Sequence, residues 1–365
     1  MRMAVDNALV GRVLSAPVVL QDGGRLYDAG TRLHERDIEF LRAFGITAVD
    51  VTDEPGGPKR NDRSTVPRPK DGHPSGGAAD RPRERPKAAA SEKAAYSALM
   101  ESGLRRIALG ASPPLGEWRA MIKAWLAEDA DPLFWVGLIR HEPRPEIHPH
   151  RYLADHAVRV GRLSLHIARL LGMSEAEQTQ AALAGLLADA GMWRLEGRLL
   201  HHPGLYSAEE RRAMQRHAEL GYERLKGRMG ISAEAAFSAL LHHERMDGSG
   251  YPLALHGERI PRLVRIVSVA DALTAGACAR PHRPAKSWWA IVSEVLGSQA
   301  FAAEVREALL ATLRRLPAGA RVRLVDGRVA TIQESSAEQP LLWTLVVGEK
   351  TLPMSALKDV VAVEV

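Results

Sequence analysis

A chain of 365 residues is too long for one compact core and is sized for two or three domains. Its 45% hydrophobic and 25% charged content is that of an ordinary soluble protein. It shows no apolar run long enough to span a bilayer and no charged-then-apolar leader, so a cytoplasmic protein without a membrane span is expected. A single cysteine, Cys278, excludes an internal disulfide. A net charge of +5 with a pI near 9.4 is compatible with a phosphorylated partner without requiring one.

Residues 1–53 read as a small α+β regulatory unit. Val18-Val19-Leu20 before Gly23-Gly24 is a hairpin signal, Glu35–Phe44 has helical apolar spacing, and Ile46–Val51 reads as a strand. From 54 to 92, Pro, Gly, Ser, Arg and Lys replace nearly all large apolar residues. Such a segment buries too little surface to offset the entropy of ordering and is expected to be a disordered basic linker. Its cations lack interleaved aromatic residues, so it reads as a solvated tether, and a nucleic-acid partner is not expected.

A helical domain is expected over 93–317. The 3.6-residue spacing predicts helices over Ala94–Leu109, Leu115–Glu128, Tyr152–Leu171, Ser174–Leu187, Ala208–Met229, Ala233–His243, Ile260–Ala277 and Ser287–Leu316, with a shorter apolar stretch at Pro132–His141. Ser207 to Glu210 matches a capping box. The apolar face of Ala94–Leu109 serves equally as core or as a homodimer contact. From 318 to 365, short strands around an Asp326-Gly327 turn predict a small β unit. The fold class is therefore mainly α: a helical bundle with a small α+β unit before it and a small β unit after it.

Within the helical block, residue types that bind metals recur about one helix apart: His156, Asp189, His217, the pair His242-His243, and Asp271. Each has an ordinary structural reading alone, as a hydrogen-bonded core histidine or a turn-capping aspartate. Asp189 and Asp271, however, each follow a strongly apolar run, and a buried carboxylate needs a cation. As a set they fit a bundle in which successive helices contribute ligands to one internal site, with imidazole favouring Fe, Mn or Zn over Ca.

The segment from His242 to Pro252, HHERMDGSGYP, resembles the signature of the HD-GYP family, bacterial phosphodiesterases acting on cyclic di-GMP. Asp155–Val160, His202-Pro203-Gly204-Leu205, His217 with Gly221, Val269–Leu273 and Arg280-Pro281-His282-Arg283 extend the likeness over about 152–316. The resemblance implies an HD-type bundle whose bridging residue, central to catalysis, is Asp189. It implies one divalent ion held by His156, Asp189 and Asp271, and another by Asp189, His217, His242 and His243. Arg245, Asp247, Gly248, Gly250, Tyr251, Arg280 and Arg283 are its implied substrate-binding residues.

One departure bears on activity. The family has a His-Asp pair followed by Gly-Lys, whereas this chain reads Ala188-Asp189-Ala190-Gly191-Met192. A metal ligand and a phosphate-contacting lysine are both replaced. One Fe or Mn ion rather than two is expected. The expected function is binding of cyclic di-GMP, or of a signalling protein partner, with impaired or absent hydrolysis. An active phosphodiesterase tolerating both changes and a purely structural scaffold are the alternatives.

Overall fold

The structure, a computed structural model, describes residues 1–19, 25–27, 29–33, 38, 41, 46–52, 86–128, 131, 133–139, 149–200, 202, 204–277, 285–335, 341, 343–353, 357 and 359–364. The expected Gly23-Gly24 turn, most of the helix at 35–44 and nearly all of the linker lie outside these residues.

In the N-terminal unit, strand β1 (Arg2–Ala4) and β2 (Val18–Val19) precede β3 (Arg25–Tyr27) and β4 (Ala48–Asp50). β2 pairs antiparallel with β3, as the hairpin signal predicts. β4 pairs with β1, a strand too short to show periodicity. Leu9, Leu14, Tyr27, Leu33, Val49 and Val51 are buried.

The second unit is a helical bundle that shares its core with a C-terminal sheet. Helix α1 (Pro86–Ala108) starts earlier than expected, so residues 86–92 are helical rather than linker. The chain continues through α2 (Leu115–Ala127), α3 (Phe134–Leu138), α4 (Pro149–Leu170) and α5 (Glu175–Leu187). Ser174 caps α5 in a reciprocal bond with Glu177. After α6 (Gly197–Leu200), the helix expected over Ala208–Met229 is two: α7 (Ala208–Gln215), with the Ser207–Glu210 capping box, and α8 (His217–Leu225). The break at Arg216 sets the His217 carbonyl against the Gly191 backbone.

α9 (Ala233–Leu241) and α10 (Arg262–Gly276) follow. The long helix expected at 287–316 is also two, α11 (Trp288–Gly297) and α12 (Ala303–Leu313). Between them, the Ala300 carbonyl accepts the Met246 N–H, which ties this bend to the loop after the histidine pair.

The tail is an open antiparallel sheet: β5 (Arg321–Leu324), β6 (Val329–Ser335), β7 (Trp343–Val347), β8 (Lys350–Thr351) and β9 (Val360–Glu364), in spatial order β8-β7-β6-β5-β9. Gly327, at φ +86°, makes the β5–β6 turn, a left-handed conformation suited to glycine. Burial alternates along β5, so Val322 and Leu324 face inward. Trp288 stacks on both Trp135 and Trp343, with ring centroids 6.2 and 5.5 Å away, joining α11 to α3 and to the sheet. No helix among the described residues is long and apolar enough to cross a membrane.

Candidate metal centre

Five elements bring the predicted residues together. His156 comes from α4, Asp189 from the turn after α5, His217 from the first turn of α8, His242-His243 from the end of α9, and Asp271 from α10. Their ligand atoms form two groups that share Asp189: Asp189, His217, His242 and His243; and His156, Asp189 and Asp271. Within each group the atoms lie within 4.8 Å of one another. All six are buried except His243, which is half-buried.

Two glycines permit this convergence. A Cβ at Gly191 would stand 1.9 Å from the His217 carbonyl oxygen, so only glycine lets the turn carrying Asp189 lie on α8. A Cβ at Gly250 would stand 2.4 Å from Glu244 Cα, so the loop after the histidines folds back directly onto them.

The four-residue group is preorganised for a cation. His217 Nδ1 lies 2.7 Å from the Met214 carbonyl, and His242 Nδ1 lies 3.0 Å from that of Ser238. Carbonyl oxygens only accept, so both Nδ1 atoms carry protons, which leaves the Nε2 lone pairs facing the centre. Those two Nε2 atoms stand 3.4 Å apart and 3.6 and 3.5 Å from Asp189 Oδ1. Two lone pairs and a carboxylate facing one point repel unless a proton or a metal ion lies between them, so the donor set fits a bound divalent ion.

The electrostatics agree. Burial works to raise the Asp189 pKa, but the close approach of His242 and the rings of His217 and His156 outweigh it and hold the carboxyl well below its usual range. Burial lowers the pKa of His217. It does the same for His243, reinforced by the neighbouring His242 and His217 rings, and more strongly. For His242, burial opposes the charged form, but Asp189 prevails and raises the pKa.

The three-residue group is closed differently. His156 Nε2 lies 2.9 Å from Asp271 Oδ1 and 3.6 Å from Asp189 Oδ2, with Thr274 Oγ1 3.5 Å from its other ring nitrogen. The imidazole is thus joined directly to Asp271. Ala188, next to Asp189 in the chain, and Met192 are buried apolar side chains that offer no ligand and no phosphate contact.

The loop from 244 to 255 walls the site. Glu244 is buried, and its two carboxylate oxygens accept the backbone N–H groups of Leu253 and Leu255 at 2.7 and 2.8 Å. Burial raises its pKa against these bonds. Tyr251 stacks on the His243 ring at a centroid distance of 4.6 Å.

Other expected substrate contacts have different surroundings. Arg245 donates to the His242 and Glu244 carbonyls and lies over the Phe301 ring. Asp247 is exposed and accepts from the Ser249 N–H and hydroxyl, and Gly248 takes φ +79° in the same turn. Arg280 and Arg283 lie outside the described residues.

Sequence reasoning passed over the loop clamp at Glu244, the Thr274 contact and the parallel stacking of Tyr152 on His156. The last two carry a signal in their spacing, three residues after Asp271 and four before His156, one helical turn in each case.

Comparison with known proteins places this site in a family. Residues 145–291 match the HD domain. The chain is 42% identical over 120 residues to the cyclic di-GMP phosphodiesterase response regulator RpfG of Xanthomonas campestris, covering 33% of this chain and 32% of that protein. It is 38% identical over 158 residues to a cyclic di-GMP phosphodiesterase of Thermotoga maritima, covering 42% and 43%. It is 34% identical over 137 residues to the 3′3′-cGAMP-specific phosphodiesterase 1 of Vibrio cholerae, covering 38% and 32%. The chain thus spans less than half the length of each of these curated relatives. Residues 145–291 are an HD domain, and the HHERMDGSGYP segment within it gives that domain the HD-GYP signature, with the HD pair reading Ala188-Asp189.

Proposed function

We propose that this domain binds a cyclic dinucleotide, cyclic di-GMP first among them, over a single divalent ion, with hydrolysis impaired. The observation that carries this reading is the asymmetry of the two groups. Asp189, His217, His242 and His243 offer four donors with two lone pairs aimed inward. His156 and Asp271 are bonded to each other, and the residue preceding Asp189 is the buried Ala188.

Asp189, His217, His242 and His243 would hold the ion, Fe or Mn from the mixture of imidazole and carboxylate. When bound, such an ion supplies Lewis-acid polarisation of a phosphoryl oxygen and lowers the pKa of a water. Glu244 fixes the loop that carries Tyr251, whose ring covers His243 on the approach to the site. Asp189, held ionised by its histidines, would accept a proton at its Oδ atoms less readily than an ordinary carboxylate. The Met192 thioether offers no charge to a phosphate, where the family's lysine would.

The test combines elemental analysis of the purified protein, calorimetry with cyclic di-GMP, and hydrolysis assayed in Mn(II) and in Fe(II). One ion per chain, a binding isotherm and turnover far below that of an intact family member are expected. Ala188→His with Met192→Lys should raise both metal stoichiometry and turnover. If neither changes, the assignment of those positions is wrong. The second reading, an active phosphodiesterase, draws on the intact four-donor group and on the activities named for the relatives. Full turnover by the unaltered chain would establish it.

A further inference from the structure

Two turns meet at one corner of the bundle. One joins α1 to α2 and the other follows α8. Arg228 Nη1 donates to the Ala111 carbonyl at 2.9 Å, and Arg119 Nη2 donates to that of Gly230 at 3.3 Å. A Cβ on Gly230 would touch Leu115, and one on Gly110 would lie 3.3 Å from the Arg224 guanidinium. These contacts lock residues 109–111 and 228–230 side by side. At the tips stand Leu109, 78% exposed, and Met229, 95% exposed. Among the described residues of the unit, the other large apolar side chains left bare are Leu205, 87% exposed, and Val325, 66% exposed, each standing singly in the sequence.

The surroundings are basic. Residues 105–119 and 224–230 carry Arg105, Arg106, Arg119, Arg224, Lys226 and Arg228 against one acid, Glu117. Lys226 pairs with Glu223, but among the described residues none of those five arginines has a carboxylate within ion-pairing distance. A cation in the last turn of a helix complements the helix dipole, which accounts for Arg105, Arg106 and Arg224. It does not account for two protruding apolar side chains among them.

We propose that this corner docks the protein on an anionic lipid surface, with Leu109 and Met229 entering the headgroup layer and the arginines facing lipid phosphates. A protein partner of stable affinity needs roughly 800 Å² of complementary surface per side. Two single exposed side chains present far less than that. A fluid interface accepts isolated apolar side chains ringed by cations. The corner adjoins the turn that carries Asp189, since Arg194 at the end of that turn donates to the Ala108 carbonyl.

The test is co-sedimentation of the full chain with vesicles of equal parts phosphatidylglycerol and phosphatidylcholine, and with pure phosphatidylcholine. Pelleting with the anionic vesicles alone, weakening as salt rises, is expected. Leu109→Ser with Met229→Ser should lower the partition coefficient about tenfold. Arg105→Ala with Arg106→Ala should lower it about fivefold per charge. All four side chains are exposed, so an unchanged thermal melt confirms that each variant is folded. The proposal is overturned by absence of pelleting or by equal pelleting with neutral vesicles. It is also overturned if the serine variant pellets like the parent, or if binding is lost only when the basic residues of 59–87 are neutralised, which would assign it to the tether. Retention on immobilised polyglutamate without vesicle binding would assign the corner to an acidic protein instead.

Discussion

At the scale of the residue, Glu244 does the least visible work. It directly follows two histidines in the chain, yet both its oxygens are taken by the N–H groups of Leu253 and Leu255. Glu244→Ala leaves those donors without partners in a crowded loop and should cost about 3 kcal/mol in urea unfolding. It should also weaken cyclic di-GMP binding while leaving metal content nearly unchanged. Loss of the ion in a folded Glu244→Ala protein would instead make this carboxylate a ligand. The histidines give a pH signature for the ion-free chain. An unfolded imidazole takes up a proton near 6.5. His217 and His243 titrate below that in the fold, so their contribution is present above about pH 6.5 and is lost as pH falls. His242, with its pKa raised, has the opposite sign, its stabilisation fading as pH rises through the folded value. His243, held well below the free imidazole value, sets the sign. The ion-free melting temperature should therefore fall between about pH 7 and about pH 5, and His243→Asn should flatten that slope.

At the scale of the element, the site depends on how closely a turn lies on a helix. Gly191→Ala would place a methyl 1.9 Å from the His217 carbonyl, and backbone cannot yield as a flexible side chain can. The expected result is a folded protein, destabilised by about 2 kcal/mol, with metal affinity reduced at least tenfold because Asp189 is displaced from His217 and His242. Wild-type metal affinity would show that the turn can shift without moving its carboxylate. This contact also shows what the sequence could and could not tell. His156, Asp189, His217, His242, His243 and Asp271 were legible because ligand types recurred one helix apart and two of them ended apolar runs. The breaks at Arg216 and Gly297 were not. Helical spacing runs through both, and it is tertiary packing, of Gly191 on His217 and of Ala300 on Met246, that ends those helices. Strand β1 and the start of α1 were missed for a related reason: three residues carry no periodicity, and a basic, alanine-rich stretch reads equally as tether or helix.

At the scale of the whole molecule, the C-terminal sheet belongs to the helical core. Composition marked a change of character near 318 but said nothing of what the new strands pack against. Trp343 of β7 is 4% exposed and stacks on Trp288, while Trp289 meets the same ring edge-on at 5.5 Å. Trp288 stacks in turn on Trp135, whose indole N–H donates to the Thr312 hydroxyl of α12 at 2.8 Å. This column of rings links the sheet to three helices, and α12 and α10 carry it toward the segment bearing Asp271. Trp343→Ala would open a cavity at one end of it and should cost about 4 kcal/mol, as large aromatic deletions do. A chain ending at residue 317 would leave Trp288 and the inner faces of α3 and α11 uncovered. It is expected to show lost near-ultraviolet circular dichroism, an earlier melt and weakened metal binding. If residues 1–317 instead keep the parent's melting temperature and bind metal as tightly, the sheet is an independent appendage and the ring column does not carry the coupling.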